Sequence, residues 1–260
     1  MYHDVGPEAT GFTGAGADRY KLTRDGFAAH LDAIAGDGLE PTLVTDPGGQ
    51  RRIALTFDDG GRSAATTIAP MLVQRGWHGH FFITTERIGT PGFVDEDDIR
   101  ALAAEGHVVG SHSHTHPVMT TLADAQIADE WRRSKAILED VLAAPVTVLS
   151  VPNGFYSERV GRVAAEAGYR HIFTSQPWLR PRPLAGALAY GRFSVLAATP
   201  AARVEDLCRY SRRAVAIEAA KWYARSAPKR LLGRHYRRMR QVLLARGART
   251  WKSGEREASR

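Results

Sequence analysis

Short apolar, β-branched runs recur along this chain at 53–57, 79–84, 107–110, 146–151 and 171–175. Each is too short for a helix and reads as a buried strand. Between them, 64–75, 97–105, 122–142 and 158–167 carry apolar residues at helical spacing. Gly76, Gly106 and Gly168 stand where those helices should stop, the last two leading straight into the next strand. Strand and helix alternate with short links, which is the pattern of parallel βαβ units. Five such units make a barrel or an open doubly wound sheet. The candidate chemistry falls just after two of the strands, where barrel active sites collect, and this favours a barrel.

The flanks differ from this body. Residues 6–20, Gly-rich at 11–16, read as a loop, and 20–35 contain a helix with Thr23 as its N-cap. The body ends near 196–207, giving a domain over 1–207. Residues 208–260 then form a basic helical tail whose polar end is expected to be disordered. No fixed-period repeat appears.

Composition adds bounds. The chain has 260 residues, 43% of them hydrophobic, enough for one large α/β domain and an appendage. No apolar run approaches the ~20 residues a spanning helix needs. The N-terminus lacks the charged-then-apolar pattern of a secretion signal, so a cytoplasmic location is the expectation. A single Cys208 allows no intrachain disulfide and reads as a small buried hydrophobe. The net charge of +7 is unevenly spread. Residues 208–260 hold sixteen Lys and Arg against three acids, Glu218, Glu255 and Glu257, while 1–207 are mildly acidic. From Pro228 to Arg246, Leu232, Tyr236, Met239 and Leu243 recur at helical spacing among arginines. This basic amphipathic stretch suits an anionic membrane surface, with residence at its inner face, or packs its stripe on the body. No nucleic-acid module accompanies the charge, so nucleic acid is not expected as a partner.

Two runs carry candidate chemistry. Thr56-Phe57-Asp58-Asp59-Gly60 places adjacent carboxylates at a strand end. Two carboxylates held close do not both ionise freely unless a cation is near. An ion ligated by one leaves the other as a base; the competing reading is a turn in which both cap the next helix. His112-Ser113-His114-Thr115-His116 puts two histidines four apart, on a helical turn or in a compact loop, with His114 pointing elsewhere. Imidazole and carboxylate together suit Zn²⁺ or a similar borderline ion, with positions left open for water and substrate.

These runs resemble the polysaccharide deacetylase family, the NodB-homology or carbohydrate esterase 4 group. Thr56 to Gly60 is similar to the family's first motif, and Gly106 to Pro117 to its second. The resemblance implies a deformed (β/α) barrel of about seven strands. It implies Asp59, His112 and His116 as ligands of one divalent ion, Zn²⁺ first, with Co²⁺, Ni²⁺ and Mn²⁺ as alternatives. It implies Asp58 as the general base. The activity implied is removal of the N-acetyl group from an N-acetylated glycan or glycoconjugate, extended here to a lipid-linked or membrane-proximal substrate.

Later segments depart from the family pattern. Ser150-Val151-Pro152-Asn153-Gly154 stands at the third motif, with Ser150 in place of the arginine that orients the base. Asn153 aligns with the residue whose backbone N–H serves the oxyanion, and Gly154 follows it. Trp178 stands near the fourth motif as a wall for the acetyl methyl or a sugar face, or simply as a core or rim residue. The usual acid histidine of the fifth motif is missing. Tyr2-His3-Asp4-Val5 resembles the start of a sub-branch that includes biofilm poly-N-acetylglucosamine deacetylases, which implies His3 as acid or substrate contact. Arg192 is a rim or substrate candidate. The missing arginine and acid keep two other readings open: a catalytically weak sugar binder, and an amidohydrolase on a non-sugar amide.

Overall fold

The computed structural model describes residues 1–6, 10–14, 16–36, 38–46 and 53–224. Its centre is a curled, mixed sheet of seven strands. These are β3 (Thr56–Phe57), β4 (His80–Ile83), β5 (Val108–Ser111), β6 (Val148–Ser150), β7 (His171–Phe173), β8 (Arg182–Leu184) and β9 (Ala187–Tyr190), in the order β3-β4-β5-β6-β7-β9-β8. All pairings are parallel except the β8–β9 hairpin. Helices α2 (Ala69–Val73), α3 (Glu96–Ala104), α4 (Asp124–Leu142) and α5 (Glu158–Glu166) make the crossovers. β1 (Asp4–Val5) and β2 (Lys21–Leu22) form a separate parallel pair. The result is a half-barrel, the deformed (β/α) barrel expected.

Local chemistry explains the helix starts. The Thr23 hydroxyl accepts from Gly26 N and caps α1 (Arg24–Ala35), as the sequence predicts. Asp95 and Asp98 form a reciprocal capping box at α3. The hairpin at 182–190 was not expected. Its turn uses left-handed Ala185 and Gly186, and Pro183 sits on the edge strand, the one place in a sheet that tolerates its missing N–H.

The sheet has two faces. Phe57 and Phe81 point toward the helices and stack at 4.9 Å. Tyr2 stacks on Phe57 and meets Phe27 of α1 edge-on. On the inner face, Phe82, Val148 and Phe173 form a smaller cluster.

The first two residues bridge the open side of the half-barrel at its active end. Tyr2 N donates to Thr56 O, and Asp58 N donates to Tyr2 O. On the other flank, Met1 N donates to Phe193 O, and Val195 N to Met1 O. His3 follows directly and is thereby held at the mouth.

Helix α6 (Ala201–Cys208) packs on α1, and Cys208 is buried. Position 207 falls inside this helix, and a further helix covers 212–224. The amphipathic stretch at 228–246 lies outside the described residues. Among the described residues, no helix is long and apolar enough to cross a membrane.

Candidate active site

Thr56 and Asp58 face inward because their neighbour Phe57 faces out, which is the alternation of a strand. Asp59 would then face out, but its φ of +82° turns the chain and returns its carboxylate to the same cleft. A non-glycine residue held in this region carries strain that its surroundings must fix. Two residues on, a Cβ at Gly61 would overlap the Asp4 carboxylate, so glycine there lets the chain start pack against this turn. Asp4 in turn accepts from Thr10 Oγ1 and Ser63 Oγ, both at 2.8 Å, tying the chain start to the helix after the carboxylate run.

The histidine run is a compact loop and not a helical turn. Ser113 and His116 both have positive φ, and His116 N donates to Ser113 Oγ. His114 points away and its Nδ1 meets Thr85 Oγ1. The Glu130 carboxylate accepts from His114 N, Thr115 N and Thr115 Oγ1. That clamp comes from the middle of α4 and has no local signal in the sequence.

His112 Nε2 lies 3.3 Å and His116 Nε2 3.4 Å from Asp59 Oδ1. The donor atoms of the three residues all lie within 4.8 Å of one another. His112 Nδ1 is 2.9 Å from Ser150 O, so it carries the proton and leaves the Nε2 lone pair facing Asp59. One carboxylate and two oriented imidazoles fit a single divalent ion of borderline softness. Burial works against the ionised form of Asp59, yet His3, His112 and His116 outweigh it and hold its pKa well below the usual value. Burial also opposes imidazolium at His112, but the Asp58 and Asp59 carboxylates win and raise its pKa.

Asp58 is gripped by Arg192. Nη1 donates to Oδ1 at 2.7 Å and Nη2 to Oδ2 at 2.9 Å. Ser150 Oγ donates to Asp58 Oδ2 at 3.1 Å and accepts from Arg192 Nη2 at 2.6 Å. Arg192 Nε donates to Thr174 O. Burial would push the Asp58 pKa up; the guanidinium overrides it and holds the carboxyl at about 2. The arginine that Ser150 appeared to have lost is therefore supplied by the segment after β9. The small serine leaves room for it and adds a hydrogen bond. Its sequence signal was Arg192 in Tyr190-Gly191-Arg192, whose role could not be read without the sheet order.

The cleft has a volume of about 400 Å³ and is lined by His3, Asp58, Asp59, His112, His116, Asn153 and Gly154. The His3 ring lies 4.5 Å from that of Tyr20. Its Nδ1 is buried without a hydrogen-bond partner among the described residues. Burial lowers the His3 pKa, opposed by the nearby Asp59 and Asp58. Asn153 has φ +60°, and its amide donates to His116 O and Pro117 O, joining the turn to the histidine loop. Trp178 is not in this cleft. Its ring lies under Arg182 of the hairpin at 3.9 Å and lines a separate apolar cavity. Trp222, from the 212–224 helix and beyond the expected domain end, lines the cleft instead.

Fold and site together define a protein of the (β/α)-barrel kind, with its charged groups at the C-terminal ends of the strands. Residues 45–172 match the family model described as polysaccharide deacetylase, so this part of the chain is a polysaccharide deacetylase domain. It is 32% identical over 141 residues to a chitooligosaccharide deacetylase of Bradyrhizobium, covering 52% of this chain and 63% of that protein. It is 30% identical over 130 residues to the Bacillus subtilis peptidoglycan-N-acetylmuramic acid deacetylase PdaA, covering 48% of this chain and 47% of that one. The chain thus spans less than two thirds of the length of these relatives. The fold is similar to that of IcaB from Ammonifex degensii, with a TM-score of 0.64 at 20% identity, over 80% of this chain and 95% of that one. It is also similar to a polysaccharide deacetylase from Bacillus cereus, with a TM-score of 0.65 at 18% identity, over 78% and 65%.

Proposed function

We propose that this protein is a metal-dependent N-deacetylase that hydrolyses the N-acetyl group of an N-acetylated sugar. The observation that carries the reading is Asp58: a buried, ionised carboxylate beside a His₂Asp donor set in one cleft. The relatives' names point the same way.

Asp59, His112 and His116 would hold the ion, with Zn²⁺ the first choice and Co²⁺, Ni²⁺ or Mn²⁺ as alternatives. Bound there, a divalent ion supplies Lewis-acid polarisation of the amide carbonyl and activates water. Asp58 takes the proton from the attacking water; Arg192 and Ser150 fix its two oxygens so that it approaches in one orientation. The Asn153–Gly154 turn offers backbone N–H groups to the developing oxyanion. His3 stands as the acid for the leaving amine, since it lines the cleft beside Asp58 and Asp59 and its Nδ1 has no hydrogen-bond partner among the described residues.

Arg192 holding Asp58 weighs against a weak sugar binder, which needs no oriented base. The basic segment 208–260 supports a glycoconjugate substrate near an anionic membrane face. The test is acetate release from a panel of N-acetylated oligosaccharides and glycolipids with Zn²⁺ restored. Release from some members, and its fall in His3→Ala, agrees with the reading. Release from none sinks it, and indifference to His3→Ala removes His3 as the acid.

A further inference from the structure

A second cavity, about 580 Å³ in volume, lies inside the half-barrel, with Met1 and Tyr2 among the residues of its wall. Ile53, Leu55, Phe173, Leu188, Tyr190 and Leu207 form much of its wall. The one charged lining side chain, Arg192, is already committed to Asp58. A closed barrel fills its interior with side chains; this one leaves an apolar space of ligand size, within the range of roughly 300–1,000 Å³. A sugar would leave its hydroxyls unpaired there, whereas a hydrocarbon chain would not.

The mouth is unusual in composition. Leu179, Leu188 and Tyr210 line the cavity and are 48%, 38% and 38% exposed. They are three of the five large hydrophobic residues exposed among the described residues, so this is a patch and not scatter. Arginines collar it. Exposed Arg180 and Arg182 flank the lining residue Pro181, and exposed Arg209, ion-paired with Glu205, sits between lining residues Cys208 and Tyr210. Arg212 and Arg213 follow, also exposed. An apolar hole with a guanidinium collar matches an amphiphile with one hydrocarbon chain and an anionic head. The chain's own 228–246 stretch is a poorer occupant, because Arg230, Arg234, Arg237 and Arg238 would be driven against the collar.

We propose that this cavity takes one hydrocarbon chain of an anionic phospholipid, with the phosphate held at Arg180 and Arg182, and so seats the protein on an anionic membrane. Met1 lines both this cavity and the catalytic cleft, so the cleft would open beside the lipid surface. The inference stands apart from the deacetylase reading, since acetate release is not its readout.

The full chain is mixed with phosphatidylcholine vesicles with and without phosphatidylglycerol, the latter carrying brominated acyl chains that quench nearby tryptophan. Binding is expected only with phosphatidylglycerol, with quenching that drops sharply in Trp178→Phe. Leu179→Asp and Arg180→Glu, both at exposed positions that the fold does not need, should each weaken binding about tenfold. Absence of vesicle binding overturns the proposal. So does binding unaffected by Leu179→Asp, or quenching equal in wild type and Trp178→Phe, because the attachment would then lie elsewhere in the chain.

Discussion

Arg192 and Asp58, separated by 134 residues, meet through two parallel hydrogen bonds with both side chains 4% exposed. A bidentate guanidinium fixes both the charge and the orientation of a carboxylate. Removing one partner of such a buried pair leaves the other uncompensated, at a cost of about 3–5 kcal/mol. Arg192→Gln should therefore lower stability by that order in urea unfolding. It should also move the acid limb of the kcat/KM profile upward. With Arg192 present the Asp58 pKa is held at about 2, below its unfolded value, so the carboxylate stabilises the fold above that value and loses the contribution as pH falls through about 2. Without the guanidinium, burial pushes the pKa up and the base protonates at a higher pH. An unchanged acid limb would contradict this role.

His80 should make the fold acid-sensitive on its own account. It is fully buried on the inner face; its Nδ1 meets Leu55 O and its Nε2 accepts from Val44 N. Burial lowers its pKa from 6.5 to about 4. The unfolded chain therefore binds a proton near 6.5 that the folded chain refuses until about 4. Stability is complete above that window and falls as pH drops through it, by roughly 1.4 kcal/mol per pH unit for this group. Urea midpoints across the window should show the slope, and His80→Gln should reduce it, leaving the share of His107, whose pKa burial also lowers to about 4.

Metal binding should report itself without any substrate. The three donors are assembled before an ion arrives, and an ion bound at about 100 times its Kd adds about 2.7 kcal/mol. Zn²⁺ added to chelator-treated protein should raise Tm, and His116→Ala should abolish the rise. The raised pKa of His112 must be overcome by the ion, so affinity should weaken as pH falls.

Trp222 offers the cleft its largest aromatic face. Stacking of a sugar ring on it, at about 0.5–1.5 kcal/mol, corresponds to a rise in KM of roughly three- to tenfold in Trp222→Ala. The value of kcat should stay near wild type and Trp222→Phe should recover most of the loss. A fall in kcat with KM unchanged would place Trp222 elsewhere in the mechanism.

The parallel units and the donor set were legible because their signals are local. Apolar runs, helix stops and a His-x-x-x-His spacing lie within a few residues of each other. The Thr23 cap was legible for the same reason. The hold on Asp58 was not, because Arg192 reaches it only once β9 pairs with β7 and aims the following segment inward. Trp178 was misplaced by the same gap: it precedes a hairpin with Pro183 in its first strand and Gly186 in its turn, residues that read as breakers. Glu130 and Trp222 came into view only when distant helices were docked.

The central claim is that Asp58 is the base of a metal-dependent N-deacetylase. Its most direct test is acetate release from an N-acetylated oligosaccharide by Zn²⁺-loaded wild type and Asp58→Asn, with metal content measured in both. Release by wild type, a loss of at least about 10²-fold in Asp58→Asn, and equal metal content are the predicted result. Equal release by the two proteins at equal metal content would contradict it.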